Sequence, residues 1–168
     1  TSMLSRSSEH ILRPVLNAIQ YAMMTLKCAP VLVTDIDVPL IIEMLDRPGV
    51  STEASLCLSA ILDRRLDGEC DMNVRDVLVK AVNSLDGAPL IPKQALIHLI
   101  KCVAINADAD ELATFPLQDI GHLTGTILEM GNDNVSAELL TAFAAIYMKL
   151  RIKSTPVALL QAFIENNG

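Results

Sequence analysis

Apolar residues recur along this chain at helical spacing, in paired segments, and the pairs repeat. Val38, Ile42 and Leu45 are followed by Ala54, Leu58, Ile61 and Leu62; Leu78, Val82 and Leu85 by Ala95, Leu99, Cys102 and Val103; Leu123, Ile127 and Met130 by Leu139, Phe143, Ile146 and Tyr147. Steps of three and four place each set on one face of an α-helix. The link from the last anchor of a first helix to the first anchor of its partner is 9, 10 and 9 residues (45 to 54, 85 to 95, 130 to 139). The whole plan advances by 40 to 41 residues and then by 44 to 45. Periods of this size predict stacked helical hairpins, each burying its apolar face against the hairpins before and after it.

Polar and turn-forming residues supply the breaks. The first segment, from Ser8 to about Lys27, opens on Ser7-Ser8-Glu9 as a capping signal and contains Pro14, which either begins it or kinks it. Thr34 or Asp37 caps the next helix, Pro39 sits in its first turn, and Arg47-Pro48-Gly49 stops it. Ser51 then reads as the cap of the partner helix, which runs to Gly68. A second hairpin begins after Asp71, turns at Leu85-Asp86-Gly87, where Gly87 suits a left-handed residue, and resumes at Pro92. Asn106 to Thr114 is the longest polar interval, a loop or a short helical turn and the expected mobile element. The third hairpin starts near Pro116, breaks at Gly131-Asn132-Asp133-Asn134 and continues from Ser136 to about Arg151. A closing helix follows Ser154-Thr155-Pro156.

These breaks divide one domain, 1–168, into a cap helix at 8–33, hairpins at 34–68, 71–105 and 115–151, and a closing helix at 155–166. Val15, Ile19, Ala22 and Met23 mimic Ala54, Leu58, Ile61 and Leu62 at an offset of 39, so the opening helix reads as a lone half repeat. No stretch alternates strictly as a half-exposed strand does, although Pro30-Val31-Leu32-Val33 is rich in β-branched residues. The expected fold is all-α: a right-handed stack of antiparallel helical hairpins, an α-solenoid of about eight helices.

Composition narrows the picture. Hydrophobic residues make up 51% of the chain and aromatic ones 3%, without a Trp, so the core is aliphatic. An apolar content this high for 168 residues points to surface covered by a partner or by a second copy of the chain. The net charge of -7 repels a phosphate backbone, which excludes nucleic acid as the expected partner. The longest uninterrupted apolar run, Ala142 to Met148, has seven residues, far short of the ~18 of a membrane span. The opening Thr1-Ser2-Met3 reads as a vector remnant ahead of an internal start, from which a leader or anchor has been cut away. Cys28, Cys57, Cys70 and Cys102 form neither a CxxC pair nor a dense disulfide framework, and reduced core thiols in a reducing intracellular compartment are expected.

Taken together, Val38-Pro39-Leu40-Ile41-Ile42-Glu43-Met44-Leu45-Asp46 and Ser51-Thr52-Glu53-Ala54-Ser55-Leu56-Cys57-Leu58-Ser59-Ala60-Ile61-Leu62 resemble an armadillo or HEAT repeat. The likeness extends over about residues 34 to 151. Tetratricopeptide repeats are similar in plan, but their ~34-residue period and aromatic positions are missing. In size and helix content, though in no motif residue, the chain is also similar to a family of kinetoplastid mitochondrial inner-membrane proteins. The repeat resemblance implies a non-catalytic scaffold for a protein or peptide partner. The second implies an assembly subunit of a membrane-associated complex in the mitochondrion, its anchor removed and its apolar surface used for a homodimer.

Chemistry-bearing motifs are few. The sequence has no GxSxG elbow, Walker loop, GxGxxG or HExxH, so no catalytic residue, cofactor or metal ligand is assigned. His10, His98 and His122 fall on separate segments, and the Asp pairs 35/37 and 108/110 suit helix starts and turns. Basic residues cluster at the ends of second helices: Arg64 and Arg65, then Lys101, then Lys149, Arg151 and Lys153, with Lys27 closing the opening helix. In a stack these ends form one edge, which with His98 is a candidate site for an acidic peptide or phosphate; favourable interaction with helix dipoles is the competing account. Ser55, Ser59, Gln94, His98, Lys101, Thr141 and Lys149 are expected on the open face of the second helices. Gly121 and Gly125, four residues apart in one predicted helix, mark close helix packing or a dimer contact, or a kinked or late-starting helix.

Overall fold

A computed structural model describes residues 9–25, 37–65, 72–113, 125 and 133–150, and among them the fold is all-α, with no strand. Seven helices are defined: α1 Glu9–Thr25, α2 Val38–Glu43, α3 Ser51–Arg65, α4 Val74–Asn83, α5 Leu90–Asn106, α6 Ala109–Ala113 and α7 Asp133–Leu150. The expected first helix of the third hairpin apart from Gly125, the closing helix and the Pro30–Val33 segment lie outside the described residues.

Local chemistry explains most of the ends. Asp37 caps α2 by accepting the Leu40 amide at 3.2 Å, with Pro39 in the first turn. Asn73 caps α4, accepting from Asp76 N at 3.3 Å and donating to the Asp76 carboxylate at 2.7 Å. Asp108 and Glu111 bond each other's amides reciprocally at 3.0 and 2.8 Å, which starts α6 inside the polar interval. Gly87 has φ 70 in the turn after α4, the left-handed conformation its position demands.

Several boundaries differ from those expected. α2 ends at Glu43, and the chain reaches α3 through consecutive turns closed by Arg47 N to Met44 O and Val50 N to Arg47 O. Ser51 does not act as a cap. Its amide already bonds Arg47 O at 2.8 Å and Ala54 N bonds Val50 O, so the helix begins ahead of the hydroxyl, and Ser51 Oγ is buried without a partner. α3 is defined to Arg65, α5 starts at Leu90 ahead of Pro92, and α7 starts at Asp133, inside the predicted break.

The anchors read from periodicity are the core. Among those described, all from Val38 to Ile146 are buried, and Tyr147 is half-buried. The long helices pack in chain order: α1 against α3, α3 against α5, and α5 against α7. The shorter helices contact one another as well, α2 with α4 and α4 with α6, while α2 lies on α3 and α4 on α5. Among the described residues, no extensive contact joins α1 to α5, α3 to α7 or α1 to α7.

This order sets the burial of each helix. α3 and α5 have a long neighbour on both sides and a short one as well, so α5 is buried almost continuously from Ala95 to Ala104. α1 has one long neighbour. It buries Leu12, Leu16 and Met23, keeps Val15, Ile19 and Ala22 half-buried and leaves Ile11, Tyr21 and Met24 exposed. Each large aliphatic side chain fully buried in this way contributes about 1.5–3 kcal/mol.

Candidate functional site

The described basic side chains at the helix ends, Arg64, Lys101 and Lys149, are engaged within the chain. Arg64 Nε of α3 donates to the Met23 carbonyl at the end of α1, 2.7 Å away. Lys149 of α7 donates to the carbonyls of Ile105 and Ala107, at 2.6 and 2.5 Å, where α5 ends. The last carbonyls of a helix lack intrahelical partners and carry the negative end of its dipole, so a cation from the next long helix satisfies both. Burial nevertheless pulls the Lys149 ammonium below its ordinary pKa, against the opposing pull of Asp108 and Glu111. Arg151 lies outside the described residues, as does the side chain of Arg65.

Lys101 and His98, on α5, meet Glu138 of α7. Lys101 Nζ donates to Glu138 Oε1 at 2.5 Å, and His98 Nδ1 lies 3.5 Å from the same oxygen. Burial raises the Glu138 pKa, but the Lys101 hydrogen bond and charge, with His98, outweigh it and hold the carboxyl below its ordinary range. The other ring nitrogen of His98 approaches Cys102 Sγ at 3.6 Å. Thiol, imidazole and carboxylate are thus linked in a row. Cys102 is buried, and that burial, with the charge of Asp63, raises its pKa against the lowering influence of nearby Ser59 and of the Lys101 charge. Burial thus shifts this thiol in the direction opposite to what a nucleophile needs. His98 turns different nitrogens to sulfur and carboxylate, which prevents both from sharing one metal ion with it. Among the described residues, no group of three or more His, Cys, Asp or Glu side chains is placed to hold a metal.

A small recess of ≈ 180 Å³ opens between the α2–α3 and α4–α5 turns. Leu45, Pro48 and Ala88 line its walls, Asp46 and Asp86 are its charged residues, and Ser51 lines it at the start of α3. Asp46 accepts from Lys80 at 2.7 Å, and that bond raises the pKa of the lysine. Sequence reading missed the recess, because its two turns lie about forty residues apart. The only sequence signal was the cap-like serine, whose hydroxyl has no cap to make.

Two other expectations meet different environments. Ser55 and Ser59 are buried, not on an open face; their hydroxyls donate to Ser51 O and Ser55 O, 2.7 and 2.9 Å away, one turn back on α3. With α1 and α5 packed on opposite flanks of α3, small side chains are accommodated where a surface was expected. Gln94 and Thr141 are exposed, and His98 is half-buried. Gly125 is helical, and a Cβ built on it meets no described atom within 4 Å; Gly121 lies outside the described residues.

No protein-family model matches this chain, and no curated protein or solved structure resembles it significantly. Among the described residues, no helix is long and apolar enough to cross a membrane.

Proposed function

We propose that the chain is a non-catalytic interaction scaffold, its helical hairpins stacked as an α-solenoid with a protein or peptide partner laid along the exposed side of the long helices. The observation that carries this reading is the packing order α1–α3–α5–α7: among the described residues, extensive contacts between long helices join only consecutive ones. A closed bundle would bring the outer helices of the row together around one centre; a stack leaves them apart. Ties at roughly the repeat period, Arg64 to Met23 and Lys149 to Ile105, favour the same reading. A row of preformed helices offers a wide, rigid surface, which lowers the ordering cost of binding.

Site-specific photo-crosslinking in the source cells tests the proposal. A benzophenone side chain at Gln94 or Thr141, exposed on α5 and α7, is expected to capture a discrete polypeptide. The same group at Asn83, exposed at the end of α4, is expected to capture little of it. No adduct from Gln94 and Thr141, or equal capture from Asn83, sinks the reading.

A further inference from the structure

His98 and Cys102 stand one turn apart on α5, at i and i+4, so their side chains leave the helix on the same face. His98 Nε2 lies 3.6 Å from Cys102 Sγ. Zinc bonds of about 2.3 Å to sulfur and 2.0–2.1 Å to nitrogen, set at the tetrahedral angle, hold the two donors about 3.6 Å apart. An ion bound linearly between them would need about 4.3–4.4 Å. The pair as it stands spans one edge of a tetrahedral zinc shell.

The surroundings are those of a metal-bound imidazole. His98 Nδ1 lies 3.5 Å from Glu138 Oε1 of α7, and a carboxylate in that position favours the tautomer protonated on Nδ1, which leaves the Nε2 lone pair for a metal. Glu138 is held in turn by Lys101 at 2.5 Å, which also occupies the nearby ammonium that would repel a cation. Asp63 of α3 brings its negative charge to bear on the thiol from the other side. The His98 side chain is 41% exposed and Cys102 lies beneath it at 7%, so the imidazole side is the way in.

We propose that His98 Nε2 and the Cys102 thiolate form a zinc site, with Glu138 as the outer carboxylate that orients the imidazole. On binding, the sulfur lone pair forms the metal bond and the thiol proton leaves to solvent, while the imidazole stays neutral. Among the described residues no third His, Cys, Asp or Glu completes the group, so water fills the two remaining positions and the metal is exchangeable. The site needs no partner and is independent of the scaffold reading.

Titration of the reduced full chain with Co2+, followed by displacement with Zn2+, tests it. A sulfur-to-cobalt charge-transfer band with visible bands of tetrahedral intensity is expected to saturate at one equivalent. Cys102→Ser is expected to lose the charge-transfer band, and Glu138→Gln to keep it while binding about tenfold or more weakly. A measurement on the unaltered chain guards against variants that fail to fold: long-range proton–nitrogen NMR spectra should show Zn2+ moving His98 Nε2 and leaving His10 and His122 in place. An absent charge-transfer band, a band kept by Cys102→Ser, full affinity in Glu138→Gln, or an unmoved His98 Nε2 would each overturn the proposal.

Discussion

Arg64 reaches from the end of α3 to the carbonyl of Met23, forty-one residues earlier in the chain, and closes the end of α1 with a 2.7 Å hydrogen bond. Lys149 does the same for the end of α5. Arg64→Ala is expected to cost about 1–2 kcal/mol, the usual value of a charge-assisted bond to a half-exposed carbonyl. Urea denaturation measures this, and an unchanged midpoint would show that the contact adds nothing to stability. Lys149→Ala, which removes two such bonds, is expected to cost no less.

Glu138 ties α7 to both Lys101 and His98 of α5. Its folded pKa lies below the ordinary 4.5, so the native state binds this proton less readily than the unfolded chain does. The associated stability is therefore fully present above pH 4.5 and is lost as the pH falls through the lower folded value. Glu138→Gln is expected to lower stability at pH 7 and to flatten this part of the acid limb. Parallel acid limbs for the two proteins would contradict the assignment.

Gly87 and Gly49 are expected to respond differently to alanine. Gly87 has open space around it but a φ of 70, so Gly87→Ala should cost about 1–2 kcal/mol through backbone strain alone. At Gly49 the new Cβ would meet the carboxylate of Glu9, the mobile end of an exposed side chain, which can move aside. Gly49→Ala should then stay within about 0.5 kcal/mol of the parent. Thermal melts of the two variants compare them directly, and a larger loss at Gly49 than at Gly87 would reverse the argument.

Burial pushes the Cys57 thiol up to about 12, in a site with no exposed surface. At pH 8 it is expected to resist iodoacetamide in the native protein and to react once the chain is unfolded in urea. Peptide mapping by mass spectrometry reads this residue separately from the other cysteines. Rapid native labelling of Cys57 would mean that α3 opens far more often than its packing allows.

How much of the molecule is legible in its residues depends on distance along the chain. The anchors Leu58, Leu99 and Leu139 are buried as their spacing predicts, because periodicity records which side of a helix avoids water, and that information lies within one or two turns. Asp37 as a cap and Gly87 as the left-handed residue are equally local. Ser51 was misjudged although the residue type was right, since whether a hydroxyl caps a helix depends on where the preceding turns place the first amide. Ser55 and Ser59 were placed on an open face because a small polar side chain looks alike on a surface and in a tight helix contact. Lys101 and Arg64 read from sequence either as a binding edge or as cations favoured by helix dipoles, because Glu138 and the Met23 carbonyl are invisible partners until the helices are brought together.

The residues alone were enough to specify helices, their greasy faces and most of their ends, since each follows from hydrogen bonding and water avoidance among near neighbours. Only the packed molecule decided which polar groups find partners inside the chain and which, among the described residues Ser51 Oγ and Glu53 Oε2, are buried without one. Those pairings are made across some forty residues, where helix packing rather than sequence spacing sets the distance.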